Sequence, residues 1–148
     1  MPESCEVPQD NPDDQEISRI LEEHSVVAVV GLSPKPSRDS FQVARYLQDN
    51  GYTIIPVNPN YDEVLGHISY ARLEDVPGRI GIVDIFRRPE AVPEIVDSAI
   101  RANAKVVWMQ LGVISNEAAR KARARGLRVV MNRCMKVEHM RLAKGLPG

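Results

Sequence analysis

Apolar residues run along this chain in two alternating rhythms. Val26-Val27-Ala28-Val29-Val30 is apolar at every position and closed by Gly31, the pattern of a strand buried on both faces. Tyr52–Val57, Ile80–Phe86, Lys105–Gln110 and Leu127–Met131 read as the further strands. Pro56 implies that the second of these ends there or that its N–H is not needed. Between the runs the period changes to that of helices. Asp39–Asn50 places Phe41, Ala44 and Leu47 on one face and stops at Asn50-Gly51. Pro89 opens a helix whose Val92, Ile95, Val96, Ala99 and Ile100 fit the i, i+3, i+4, i+7, i+8 template. Ser115 caps a helix over Asn116–Arg125 ended by Gly126, and Val137–Lys144 forms the last helix. Ahead of the first strand, Asp13 and Asp14 cap a helix with Ile17, Ile20 and Leu21 inward. Asn58–Gly78 is irregular, with room for a short edge strand near Val64–Ile68.

Strands alternating with helices of about ten residues specify βαβ units and a parallel sheet. The expectation is a Rossmann-like three-layer α/β fold with a mostly parallel sheet of five to six strands. Met1–Pro12, with three prolines and little apolar pattern, is expected to be a mobile tail, and residues 13–148 a single domain. The Val26–Val30 strand should lie near the middle with Ile80–Phe86 beside it. The winding would reverse between them, and ligands bind outside the carboxyl ends of strands at such a point.

Composition narrows the partners. The chain has 148 residues, 43% hydrophobic and 26% charged, with net charge −1; a general polyanion binder would carry a basic excess. Arg128, Arg133, Lys136, Arg141 and Lys144 make the C-terminal third basic. Its Ala118 and Ala122 read as a buried helix side and aromatic stacking residues are missing, so no nucleic acid is expected. No apolar run reaches the ~20 residues needed to span a bilayer. The acidic N-terminus lacks a signal pattern. Two cysteines, Cys5 and Cys134, cannot build a disulfide framework, and a reducing cytoplasm is the expected location.

Four loops then carry the candidate chemistry. In Gly31-Leu32-Ser33-Pro34-Lys35-Pro36-Ser37-Arg38, Gly31 lets the backbone turn and a ligand approach. The helix start beyond it, with the hydroxyls of Ser33, Ser37 and Ser40 and the charges of Lys35 and Arg38, suits a phosphate. The loop is neither G-x-G-x-x-G nor a Walker A sequence. After the second strand, Val57-Asn58-Pro59-Asn60 has no acid where a dinucleotide-binding domain grips the ribose hydroxyls, which disfavours NAD. A nucleotide with an extra ribose phosphate, NADP included, stays open. Phe86-Arg87-Arg88 offers an apolar face for adenine and two guanidiniums for phosphate. Gln110 can donate and accept, and Gly112 allows close approach. Asp84, mid-strand in an apolar run, either has a buried partner or marks the crevice. Trp108 reads as core.

These segments, in this order, resemble the stand-alone CoA-binding domain family, related to the N-terminal domain of the succinyl-CoA synthetase alpha subunit and to ADP-forming acyl-CoA synthetases. The carriers are Val29-Val30-Gly31-Leu32-Ser33, Pro56-Val57-Asn58-Pro59, Gly66, Asp84-Ile85-Phe86-Arg87-Arg88, Val107-Trp108-Met109-Gln110-Leu111-Gly112 and Asn132-Arg133-Cys134. The match runs from about Ile17 to Leu142. The resemblance implies coenzyme A held through its ADP and pyrophosphate groups, and the ribose 3′-phosphate would explain arginines where an acid is missing.

In the ligase relatives the phosphorylated histidine and the nucleotide grasp lie outside this domain. His24, His67 and His139 have no evident catalytic partners, and no metal-ligand cluster or catalytic set is visible. The expectation is therefore a binding module for CoA or a short acyl-CoA, without catalytic or metal-ligating residues, alone, as a homo-oligomer or with a protein partner. The alternative is a subunit of an acyl-CoA ligase or transferase completed by another chain. Cys134 is read two ways: a small buried residue, or a thiol facing the CoA thiol and able to form a mixed disulfide with it under oxidation.

Overall fold

The computed structural model describes residues 6–143. The elements run α1 (Asp14–Glu23), β1 (Val26–Val30), α2 (Asp39–Asp49), β2 (Thr53–Val57), β3 (Glu63–Val64), β4 (His67–Ile68), β5 (Ile82–Ile85), α3 (Val92–Arg101), β6 (Val106–Met109), α4 (Asn116–Ala124), β7 (Arg128–Val130) and α5 (Met135–Ala143). Lys144, expected in the last helix, and Cys5 lie outside the described residues.

Five strands form one parallel sheet in the order β2-β1-β5-β6-β7. Alternation along each strand sends residues to two cores. Val27, Val29, Ile82, Trp108 and Val130 pack under α1, α2 and α5. Ala28, Val30, Val83, Ile85, Val107 and Met109 pack under α3 and α4. The three-layer architecture is the expected one, and the winding reverses between β1 and β5. Trp108 is fully buried and its indole N–H donates to the Arg133 carbonyl at 2.8 Å.

Local chemistry sets the helix ends. Asp13 Oδ1 accepts the Glu16 N–H at 2.9 Å to start α1, and Ser115 Oγ accepts the Ala118 N–H at 3.2 Å to start α4. In α2 the buried face is Ser40, Val43, Ala44 and Leu47. Phe41, expected inward, is only half-buried. The buried stripe follows i, i+3, i+4, i+7, with Phe41 at its rim, and Ser40 on it accepts the Ser33 N–H at 3.0 Å.

The expected edge strand is instead a separate antiparallel hairpin, β3-β4. Its turn, Leu65-Gly66, has φ of 55° and 80°, the mirror-image turn that matches strand twist. Beyond it Tyr70 runs beside β2: Asn58 N–H donates to Tyr70 O at 2.8 Å and Tyr70 N–H to Pro56 O at 3.0 Å. Pro56 lies within β2, which is an edge strand of the sheet, where it is tolerated.

Glu6–Pro12, part of the expected tail, lie against α4 and β7. Glu6 Oε2 accepts the Asn116 backbone N–H at 2.8 Å and its side-chain N–H at 2.7 Å. Asn11 donates to Met131 O at 2.8 Å and accepts the Met131 N–H at 2.9 Å. The side-chain amide thus pairs with the backbone as a neighbouring strand would. Asn11→Ala strands both Met131 groups and is expected to cost about 1–3 kcal/mol. Urea unfolding should show a lower midpoint with an unchanged slope; an unchanged midpoint would mean that water replaces the amide freely.

Candidate functional site

The carboxyl ends of β5, β6 and β7 and the start of α2 surround an open cavity of about 780 Å³. Phe86, Arg87 and Arg88 form one wall, Gln110, Leu111 and Gly112 a second, and Cys134, Lys136 and Val137 a third. Asp39, Gln42 and Val43 of α2 complete it. Arg88 is exposed and Arg87 half-buried. Among the described residues neither forms an ion pair. With Lys136 they outnumber Asp39, the one acid in the lining, so the cavity favours an anion. The N-cap of α2 is Arg38, whose side chain makes no capping bond. The first N–H groups of that helix are therefore uncapped by a side chain at the cavity's edge.

A second cavity, of about 300 Å³, opens at the carboxyl ends of β1 and β2. Val30, Val57, Pro59, Leu73 and Ile95 give it apolar walls, and Arg72, Glu94 and Ser98 contribute polar groups. Arg87 lines both cavities.

Gly31 sits at the crossing with φ +90°. A Cβ there would lie 2.4 Å from Phe86 O and 3.2 Å from Arg87 Nε. Its close approach is to the protein's own β5 end. Leu32 is fully buried in the core and presents no side chain to either cavity. Asn58 is buried too; its Nδ2 donates to Leu32 O at 3.0 Å and its Oδ1 accepts the Asn60 N–H at 3.0 Å. It fastens the first loop to the second. Ser33 Oγ accepts the Lys35 N–H at 3.1 Å. Lys35 and Arg38 are exposed and line neither cavity.

Gln110 is buried, and its Oε1 accepts the N–H of Met135, the first residue of α5, at 3.0 Å. Gly112 has φ +86°, and its N–H donates to Asn132 Oδ1 at 2.8 Å. These two bonds tie the β6 loop to the segment that carries Cys134. Cys134 is free, half-buried, and packs against the core under α5. Tyr46 of α2 shares a 2.7 Å hydrogen bond with His139 Nδ1 of α5, and burial lowers the His139 pKa. The Lys136 ammonium stands 5.6 Å from the Tyr46 ring centroid.

Asp84 lines neither cavity. It lies two residues before Phe86 on the same strand face, between Val29 of β1 and Trp108 of β6. It is fully buried, and among the described residues neither carboxyl oxygen has a hydrogen-bond partner. Burial pushes its pKa well above the usual carboxylate value. The sequence reading allowed a partnered acid or a crevice acid, and the structure shows neither.

Sequence reasoning missed Lys136 and Val137 in the large cavity and Arg72 in the small one. Lys136 read as one charge on a solvated helix, and Arg72 belongs to a stretch without periodicity. Among the described residues no helix is long and apolar enough to cross a membrane.

Doubly wound parallel sheets with a crevice at the reversal of winding form a class of nucleotide-binding α/β domains. Within that class the comparisons are specific. The profile of the CoA binding domain family matches residues 25–140, and the chain belongs to that family. It is 42% identical over 129 residues to the uncharacterized protein YneT of Bacillus subtilis, covering 87% of this chain and 96% of that one. A hypothetical protein from Pyrococcus horikoshii OT3 superposes with TM-score 0.88 at 45% identity, over 93% of this chain and 97% of that chain. The dinucleotide-forming acetyl-coenzyme A synthetase 1 of Ca. Korarchaeum cryptofilum, in complex with phosphate and ADP, superposes with TM-score 0.66 at 29% identity. That match covers 73% of this chain and 26% of the synthetase chain.

Proposed function

We propose that the chain binds coenzyme A, free or as a short acyl-CoA, as a self-standing module. The observation that carries this is the pair Arg87 and Arg88, without carboxylate partners among the described residues, at an anion-favouring cavity beside the uncapped start of α2. Guanidinium forks and helix N–H groups are the donors that phosphates recruit. The O–H hydrogens of Ser33 and Ser40 can still donate, because their oxygens serve the loop as acceptors. Gln110 and Gly112 shape the wall along which the pantetheine arm would run, towards Cys134. Leu32, Val57 and Asn58 act in this reading by holding the loops.

Calorimetry with CoA, dephospho-CoA, NAD and NADP tests the proposal. CoA should bind most tightly, and tighter binding of NAD or NADP would reverse it. Arg87→Ala and Arg88→Ala should each weaken CoA binding by ~1.5–3 kcal/mol, the cost of losing a charge-assisted bond. The variant that has lost the ribose-phosphate contact should lose less affinity for dephospho-CoA. Equal losses for both ligands would put that arginine on the pyrophosphate.

A second reading has one observation in its favour. Ligase relatives contain this domain as a minor part: the chain spans 12% of the acetate–CoA ligase [ADP-forming] II of Archaeoglobus fulgidus. A partner chain could then complete an acyl-CoA ligase or transferase. Co-purification of such a chain together with acyl-CoA synthesis would establish it, and a CoA-bound, inactive preparation without a partner would count against it.

A further inference from the structure

We propose that the chain acylates itself: a short acyl group passes from an acyl-CoA to the thiol of Cys134, and from there to the side-chain amine of Lys136. This rests on the CoA reading above and adds to it a reaction and a modification site. Cys134 and Lys136 line the same wall of the larger cavity, so a thiol and a primary amine open on one space. Both are side chains that attack acyl groups. Lys136 differs from the other described lysines. Lys121 is paired with Asp97 at 2.9 Å, Lys35 lines neither cavity, and Lys105 is exposed ahead of β6. Among the described residues Lys136 forms no ion pair. Its ammonium stands 5.6 Å from the Tyr46 ring centroid, and the 2.7 Å bond between the Tyr46 hydroxyl and His139 Nδ1 fixes that ring.

The two transfers balance with no further reactant. Cys134 releases its thiol proton, and its sulfur attacks the thioester carbonyl. A new carbon–sulfur bond forms, the bond to the CoA sulfur breaks, and the departing thiolate takes up a proton as free CoA. Lys136 then releases one proton to solvent, and its neutral nitrogen attacks the Cys134 thioester. The amide bond forms, the carbon–sulfur bond breaks, and a second proton passes from nitrogen to sulfur, which restores the thiol. Each attack puts negative charge on the carbonyl oxygen, which N–H donors stabilise. At the start of α5 the Met135 N–H is taken by Gln110 Oε1 at 3.0 Å and the Glu138 N–H by Cys134 O at 2.9 Å. Among the described residues the N–H groups of Lys136 and Val137 have no acceptor, and both residues line the cavity. Two positions of sequence separate donor and acceptor in the second step, so it runs within one chain at a high effective concentration.

The test treats the whole chain, carrying Cys5→Ser so that one thiol remains, with acetyl-CoA, and maps the adducts by mass spectrometry. Acetylation of Lys136 is expected at least tenfold faster than that of Lys105 or Lys121. Adenosine 3′,5′-bisphosphate, a competitor without a thiol, should suppress it. Lys136→Arg should trap the acetyl group on Cys134, as an adduct that neutral hydroxylamine removes. Cys134→Ala should slow Lys136 acetylation at least tenfold at saturating acetyl-CoA. Equal rates at the three lysines would overturn the proposal. So would a Lys136→Arg chain without a hydroxylamine-sensitive adduct, or an undiminished rate in Cys134→Ala. Calorimetry separates the two levels. A chain that binds CoA yet keeps Lys136 unmodified sinks this inference alone, whereas a chain that ignores CoA sinks the functional reading first.

Discussion

Gly31→Ala is expected to destabilise the fold by about 2–5 kcal/mol, combining a left-handed backbone that L side chains resist with overpacking at a closed contact. The added methyl would meet Phe86 O at 2.4 Å, and that atom belongs to backbone at the end of a central strand. Relief requires β1 and β5 to separate at their ends, where Phe86 N–H donates to Val30 O at 2.9 Å and Gly31 N–H to Val57 O at 2.9 Å. Gly51→Ala is the control: its φ is +95°, yet nothing lies within 4 Å of the new atom. Urea midpoints of the two variants separate the conformational cost, common to both, from the steric contact, which only Gly31 has. If Gly31→Ala were no worse than Gly51→Ala, the Phe86 carbonyl would be free to retreat. Arg87 follows Phe86 directly, so surviving folded Gly31→Ala should also bind CoA more weakly.

Asp84→Val is expected to stabilise the protein, by about 1–3 kcal/mol at neutral pH. That is the usual penalty of a buried polar group without a partner, and valine also favours a strand. The pH dependence has a definite sign. The folded state holds the Asp84 proton to a higher pH than the unfolded chain does. Between the two pKa values the folded state therefore binds more protons, and wild-type stability falls as pH rises. Below the ordinary aspartate value both states are protonated and this contribution vanishes. The advantage of Asp84→Val should thus be largest at pH 8 and shrink towards pH 4, as read by urea unfolding at each pH. A variant less stable than wild type at pH 8 would reveal a favourable partner for the carboxyl group.

The sheet was legible because a strand covered on both faces leaves a continuous apolar run, as in Val26–Val30 and Val106–Met109. Likewise Phe86-Arg87-Arg88 could be placed beside a crevice because two arginines follow directly on a central strand. The direction of Leu32 had no such signal: next to Gly31 in sequence, it turns into the core while its carbonyl takes the Asn58 amide. On α2 the Ser40–Ser33 bond puts a polar residue on the buried stripe, and the apolar pattern carries no sign of it. The pairing of Asn11 with Met131 joins residues 120 positions apart, and neither end carries a local signal for it. Lys136 and Arg72 reach the cavities only through the packing of α5 and the course of an irregular segment.

The match to the family profile begins at residue 25, after α1 has ended. Yet Ile17, Ile20 and Leu21 cover the sheet, Arg141 clamps Asp14 through two bonds of 2.9 and 2.8 Å, and Glu6 supplies an N-terminal acceptor for α4. The profile match and the packed unit therefore have different borders in this molecule. A shortened polypeptide cut at the first would bare an oily flank, and recombinant work should keep residues 6–24.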